Sequence, residues 1–373
     1  MTAPSRLAVV IAGGGTGGHL YPGIAVAREL MRRLPAARLT FAGTARGLEA
    51  RVVPREGFEL DLIRSAGLKG KSAVARLRGA LLLVPSFLDS WRIISRRKPA
   101  VVIGVGGYSS GPVILTAALR GVPTMVLEQN ARPGLTNRLL ARVVRAAAVT
   151  YAQTLQSFGT RGFVSGNPVR AEFFATSPRA EAALPRVLIL GGSQGAHALN
   201  LVAPAAFALL SRQGVGVDVV HQTGERDVTD VRNAYGGEGL LARVEAFLDP
   251  VVTEVLAADL VLCRAGATTL AELAAASKPA VLVPLPTATD DHQRKNARVL
   301  ADAGAAVVID QRDLSAAVLA AALQPLLEDR AVLDRMAHAI NAFARPDAAG
   351  VIVDRALELA GWAPTPAARM VQS

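Results

Sequence analysis

The sequence is short of several things, and each shortage excludes a class of protein. There is one cysteine, Cys263, in 373 residues. No disulfide can form within the chain, and a reducing cytoplasm is the expected setting. Aromatic residues make up only 4%. A protein that reads unpaired bases stacks them on aromatic rings, so nucleic acid is not the expected partner. No apolar run approaches the ~18 residues needed to span a bilayer. The N-terminus enters its first strand within a few residues and has no signal-peptide pattern. Acidic residues are scarce in the first half. Residues 1–165 hold 23 Lys/Arg against 7 Asp/Glu, a net +16, and the remainder is net −5. A basic half points to a polyanion: nucleic acid, an anionic membrane or a phosphorylated substrate.

What is abundant is small and apolar. Ala, Val, Leu and Gly dominate, which suits parallel sheets covered by helices on both faces. The stretch Ala8–His19 begins as a continuous apolar run, read as a buried strand. It continues as Gly13-Gly14-Gly15-Thr16-Gly17-Gly18-His19, and a helix is expected over Ile24–Leu34. Strand, glycine loop and helix bring a backbone close to a phosphate or sugar. The spacing Gly13-x-Gly15-x-x-Gly18 matches the dinucleotide fingerprint. That fingerprint also needs an acid at the end of the second strand to hold a ribose. Here the strand Arg38–Ala42 runs into Gly43-Thr44-Ala45, so a nicotinamide or flavin enzyme is disfavoured. His19 reads either as a group at a helix start or as an acid/base group in a site loop.

The pattern repeats. Val101–Val105 leads into Gly106-Gly107-Tyr108-Ser109, and Pro123–Leu127 ends in Glu128-Gln129-Asn130. Glu128 and Asn130 share one side of the strand end. Residues 72–98 form an apolar amphipathic region flanked by Lys/Arg, with Asp89 its one acid, and Pro85 is expected to break or kink it. It reads as a packed helix pair or as an interfacial patch for an anionic membrane. The turn Gly166-Asn167-Pro168 and the change of charge sign place a boundary near 166. The second half opens as the first did. Arg186–Leu190 precedes Gly191-Gly192-Ser193-Gln194-Gly195-Ala196, and a strand-like Leu256–Cys263 precedes Arg264-Ala265-Gly266-Ala267-Thr268-Thr269 with Glu272.

These motifs, together and in this order over nearly the whole chain, resemble the MurG family. Its members are the family 28, GT-B glycosyltransferases that add N-acetylglucosamine to a lipid-linked precursor of peptidoglycan. The resemblance implies two Rossmann-like domains facing across a cleft. It divides the chain into 1–166 for acceptor and membrane, 167–345 for UDP-GlcNAc, and 346–373 as a helix packing back on the first domain plus a tail. It implies inverting transfer from UDP-GlcNAc to the 4-hydroxyl of MurNAc in undecaprenyl-diphosphate-MurNAc-pentapeptide (lipid I), peripheral to the cytoplasmic face of the cell membrane. Partners from the cell-wall and division machinery are implied as well. A diacylglycerol glycosyltransferase is the alternative, with the same donor half and membrane patch.

Under this resemblance His19 is the candidate base, with Glu128 and Asn130 orienting it or the acceptor sugar. Thr16, Gly17 and Gly18 close over the donor phosphate or the acceptor diphosphate. Ser193, Gln194, Gly195, Ala267, Thr268 and Thr269 face the donor diphosphate, where helix N-termini suit an anion, and Arg170 sits near it. Glu272 accepts from the ribose hydroxyls, Leu248 meets uracil through its backbone, and His292 and Gln293 contact the sugar. Gly106, Gly107, Tyr108, Ser109 and Asn137 face the acceptor. No Asp-x-Asp pair is present, and Asp290 and Asp291 would point apart in an extended loop. No metal site and no tightly bound cofactor are therefore expected, with Mg²⁺ at most stimulatory.

Overall fold

The computed structural model describes residues 6–65, 83–175, 184–191 and 195–362. They form two compact units, one up to Val169 and again from Asp347, the other Arg170–Pro346. The divisions thus fall at 169/170 and 346/347, rather than at 166/167 and 345/346.

In the first unit the described strands are β1 (Ala8–Gly13), β2 (Arg38–Gly43), β3 (Glu59–Leu62), β4 (Val101–Gly106), β5 (Thr124–Glu128), β6 (Ala146–Val149) and β7 (Gly162–Val164). They make one parallel sheet in the order β3-β2-β1-β4-β5-β6-β7. Between them run α1 (Gly17–Arg33), α2 (Glu49–Arg55), α3 (Leu83–Arg97), α4 (Ser110–Leu119) and α5 (Leu135–Leu140). Alternation along the strands splits the core in two. Val9, Ile11, Ile103 and Val105 pack on one face with Leu20, Ile24 and Ala27 of α1. Val10, Ala12 and Val102 pack on the other with Ile93 and Ile94 of α3 and Ile114 of α4. Strands buried on both faces explain the unbroken apolar runs.

The second unit repeats the plan. Its strands are β8 (Arg186–Leu190), β9 (Asp218–Gln222), β10 (Ala242–Glu245), β11 (Leu260–Cys263), β12 (Ala280–Leu282) and β13 (Ala306–Val308), in the order β10-β9-β8-β11-β12-β13. The helices are α6 (His197–Arg212), α7 (Val228–Gly237), α8 (Val251–Ala257), α9 (Ala267–Ala275), α10 (His292–Asp302), α11 (Ala316–Glu328) and α12 (Arg330–Asn341). The last helix, α13 (Ala348–Leu359), belongs to the first unit, where Ile352, Val353, Ala356 and Leu357 join the core beneath α1.

In each sheet the strand order reverses once, at β1/β4 and at β8/β11. The carboxyl ends of strands flanking such a point open into a crevice, where open α/β sheets bind ligands. The glycine loops lie at these two places.

Two elements depart from the sequence reading. Helix α1 starts at Gly17, not Ile24, so Gly17, Gly18 and His19 form its first turn. The buried Leu20 draws that turn onto the core, which outweighs the glycines and Pro22. Of Leu256–Cys263 only Leu260–Cys263 is strand, because Val251–Ala257 is helical with Val255 buried. Pro85 lies in the first turn of α3, a position that needs no amide donor, and residues 72–82 lie outside the described part.

Ile352 is fully buried. Ile352→Ala should lower unfolding free energy by about 2–5 kcal/mol, whereas Glu358→Ala, at an exposed pair with Arg355, should change it by no more than ~0.5 kcal/mol. Denaturant titration of the two variants checks this.

Candidate active site

At the switch point of the first unit, two loops meet with almost no side chain between them. Gly14 N donates to the Gly106 carbonyl at 3.3 Å. A Cβ on Gly13 would stand 2.4 Å from the Gly106 oxygen, and one on Gly107 would stand 2.3 Å from the Gly14 oxygen. Gly14 and Gly106 have φ of +148° and +98°, where glycine is at no disadvantage.

A buried carboxylate holds this loop from behind. Glu49 accepts from Gly15 N at 2.7 Å, Thr44 N at 2.9 Å and Thr44 Oγ1 at 2.7 Å. A Cβ at Gly14, Gly43 or Gly47 would fall within 2.6 Å of the Glu49 side chain. Burial pushes the Glu49 carboxyl up, but the three donors outweigh it and its pKa is lowered. The sequence reading missed Glu49; glycines at 43 and 47 flanking a lone acid were the available signal. The consequence is that the amides of Gly14 and Gly15 point inward. The next turn opens α1.

His19 sits in that turn, half-buried, with Nδ1 against the Val105–Gly106 peptide. A Cβ on Gly106 would come 2.7 Å from it. Burial lowers the imidazole pKa, and the Glu128 charge, the Gln129 amide and the Val105 carbonyl only oppose this. The ring is therefore neutral at pH 7, the form a base requires. Thr16 is exposed, with Gly17 and Gly18 beside it.

Glu128 is not poised toward a ligand. It is buried, and its two oxygens accept from Asn130 N (3.0 Å), Asn130 Nδ2 (3.1 Å), Gly134 N (3.0 Å) and Asn137 Nδ2 (2.9 Å). It fixes the loop that follows β5. Asn137 is buried and also donates to the Leu127 carbonyl, and Ser109 is buried at the start of α4. Tyr108, by contrast, is exposed.

In the second unit, Ser193 and Gln194 lie outside the described residues. Gly195 presses on β9, where a Cβ would stand 2.5 Å from the Thr223 oxygen. Beneath it runs a buried polar chain that the sequence reading also missed. Tyr235 Oη lies 3.2 Å from His221 Nδ1, and His221 Nε2 lies 3.0 Å from Asn200 Oδ1. Asn200 Nδ2 donates to Asp227 and to the Thr223 carbonyl. Burial pushes His221 down to about 3, so it is neutral, and the chain is satisfied with Tyr235 donating to Nδ1. Next to it, Gln222 Oε1 accepts from Leu248 N at 3.2 Å.

Across the switch point, Ala267, Thr268 and Thr269 open α9, and Glu272 follows on the same helix. Arg170 Nη2 lies 4.0 Å from Glu272 and its guanidinium lies over the Phe173 ring. Burial pushes the Glu272 carboxyl up to about 7, against the pull of Arg170. Arg264 donates to the Val283 carbonyl and to Gln311 Oε1, and pairs with no carboxylate among the described residues. His292 and Gln293 begin α10, and Gln293 Oε1 accepts from Leu285 N at 2.9 Å. Asp290 and Asp291, just before it, hold φ of +55° and +56°. Among the described residues no three His, Cys, Asp or Glu side chains are grouped to hold a metal.

Residues 9–149 match the glycosyltransferase family 28 N-terminal domain and residues 186–352 its C-terminal domain. The chain belongs to glycosyltransferase family 28. It is 49% identical over 354 residues to a UDP-N-acetylglucosamine–N-acetylmuramyl-(pentapeptide) pyrophosphoryl-undecaprenol N-acetylglucosamine transferase of Anaeromyxobacter dehalogenans (strain 2CP-C), covering 94% of this chain and 92% of the relative. A transferase of the same name from Pelobacter propionicus is 43% identical over 373 residues, covering 94% and 98%. The crystal structure of Acinetobacter baumannii MurG matches with a TM-score of 0.80 and 31% identity, over 95% of this chain and all of that one. The two parallel-sheet units are thus those of a family 28, GT-B glycosyltransferase.

The raised Glu272 carboxyl carries a pH signature of its own. An acid whose folded pKa exceeds its unfolded value weakens the fold as pH rises from that lower value, 4.5, toward about 7. Glu272→Gln should therefore be more stable than the parent at pH 8 and lose that advantage near pH 4.5. Thermal melts across this range measure it.

Proposed function

We propose that this protein transfers N-acetylglucosamine from UDP-GlcNAc to the 4-hydroxyl of MurNAc in lipid I, with inversion at the anomeric carbon. The observation that carries this reading is the match along nearly the full chain to transferases of that name. A diacylglycerol acceptor has no comparable support.

The residues suit the chemistry. The acceptor hydroxyl attacks the anomeric carbon, the bond to the UDP oxygen breaks, and the hydroxyl proton passes to a base. A neutral His19 at the mouth of the basic first unit fills that role. The start of α1 at Thr16 and Gly17, with the dipole of that helix, attracts a diphosphate. Gly106, Gly107 and Tyr108 border the same place, and Glu128, Asn130, Asn137 and Ser109 hold its walls. In the second unit, Gly195 and the turn Ala267-Thr268-Thr269, with the charge of Arg264, stabilise departing UDP. Ser193 and Gln194 belong to the same motif. Glu272 takes the ribose hydroxyls with Arg170 beside it, Leu248 takes uracil, and His292 and Gln293 take the sugar. Helix dipoles and cations do the work that a metal does elsewhere. No tightly bound cofactor is invoked, and Mg²⁺ serves only as a counter-ion to the diphosphate.

The acceptor's lipid tail calls for a membrane. No described helix is long and apolar enough to cross one. On α3, Val84, Leu88 and Trp91 are exposed, Arg92 flanks them, and Arg120 stacks over Trp91 at 4.5 Å. Apolar side chains ringed by arginine suit an anionic cytoplasmic surface. Arg96 and Arg97 serve differently, since both pair with the buried Asp61. Proteins of cell-wall assembly and division are proposed as neighbours on the same surface.

The test is a transfer assay with labelled UDP-GlcNAc, offering a lipid I analogue beside diacylglycerol. Labelled disaccharide on the lipid I analogue alone is expected; product on diacylglycerol would overturn the acceptor. Glu272→Gln should weaken UDP-GlcNAc binding about tenfold or more, through loss of charge-assisted hydrogen bonds, with an unchanged dissociation constant counting against its role. Val84→Ser with Trp91→Ser should reduce binding to anionic vesicles about tenfold, on the apolar area removed; unchanged vesicle binding would move the docking face elsewhere.

A further inference from the structure

Two buried polar atoms face one another's surroundings without a partner. His19 Nδ1 and Gln129 Oε1 each lack a hydrogen bond. Both are shielded from water in a part of the fold where such atoms are normally paired. Gln129 is buried at the end of β5, and its Nε2 donates to the Val105 carbonyl at 3.1 Å. That carbonyl is an acceptor, which assigns the nitrogen of the amide to it and leaves the oxygen as the other end. The same amide and the same Val105 carbonyl act on the His19 ring. Each group able to reach Nδ1 from β4 or β5 is therefore an acceptor.

The neighbouring candidates are already committed. Glu128 spends both carboxylate oxygens on Asn130, Gly134 and Asn137. Glu49 spends its own on Gly15 and Thr44. Gly106 has no Cβ, which is what lets Nδ1 come down onto this peptide.

We infer that Gln129 is the positioning residue of the catalytic histidine: its Oε1 takes the Nδ1 proton of His19 and leaves Nε2 as the free lone pair. The inference rests on the reading of His19 as the base. It deepens that reading by naming the nitrogen that collects the proton and the side chain that selects it. An uncharged amide in this place fixes the tautomer while drawing the ring toward its charged form less than a carboxylate would.

The decisive experiment is nitrogen-detected NMR of the full chain labelled with ¹⁵N-histidine, at pH 7.5, with His19→Gln used to assign the His19 signals. The expected result is a protonated Nδ1 and an unprotonated Nε2. A protonated Nε2 in the wild-type protein would overturn the inference, whatever becomes of the variants. Gln129→Leu should abolish the fixed tautomer and lower kcat at least about tenfold, within the ~10²–10⁴ that general-base catalysis supplies. Its KM for UDP-GlcNAc should stay within about twofold, since Gln129 acts on the ring of His19 and not on the donor. Gln129→Glu keeps an oxygen acceptor and should recover tautomer and turnover relative to Gln129→Leu. A Gln129→Leu protein with unchanged tautomer and unchanged kcat would overturn the inference. Full turnover in His19→Ala would overturn the base reading instead, and the tautomer measurement tells the two failures apart.

Discussion

The first unit depends on one buried carboxylate. Glu49 is held by two backbone amides and a hydroxyl, in a pocket that exists only because residues 14, 43 and 47 lack a Cβ. A buried charge is costly unless its hydrogen bonds are complete, and here the cost is met by donors from two separate loops. In return, the loop after β1 is tied to the loop after β2. The turn that follows, with His19 in it, starts from a fixed point. The glycine contact between Gly14 and Gly106 then closes the loop against β4. The amides of Gly14 and Gly15 are thus consumed in holding the loop.

The second unit solves the equivalent problem with a buried polar chain that ends on Asp227. Tyr235, His221 and Asn200 run from the core to the loop around Gly195, and Gln222 on the same strand reaches the Leu248 amide. The end of β9 thereby ties the loop around Gly195 to the segment at Leu248. Buried networks of this kind specify one arrangement when fully satisfied. The charges of the site, Arg170, Arg264 and Glu272, are held by few protein partners, which leaves them available to a ligand.

Much of this was legible in the sequence. The apolar runs before each glycine loop gave the parallel strands, because strands covered on both faces have no polar side to show. The order of the loops identified the family. Helix α1 was read seven residues late, because glycine and proline argue against a helix locally while Leu20 is held in one by tertiary packing. The four donors to Glu128 lie up to nine residues further on and are invisible to spacing. Glu49 and the His221 chain escaped for the same reason, since their partners come from distant segments. The charge balance was read correctly as a whole, yet Arg96 and Arg97 turned out to neutralise Asp61, a pairing that helical spacing could not reveal.

The central claim is that a neutral His19, set in place by these loops, is the base. The most direct measurement is the pH dependence of kcat/KM for the lipid I analogue at saturating UDP-GlcNAc. The account predicts an acid limb with an apparent pKa below 6.5, the ordinary value for histidine, and its disappearance in His19→Gln. A limb at or above pH 7, or one that survives in His19→Gln, would contradict it.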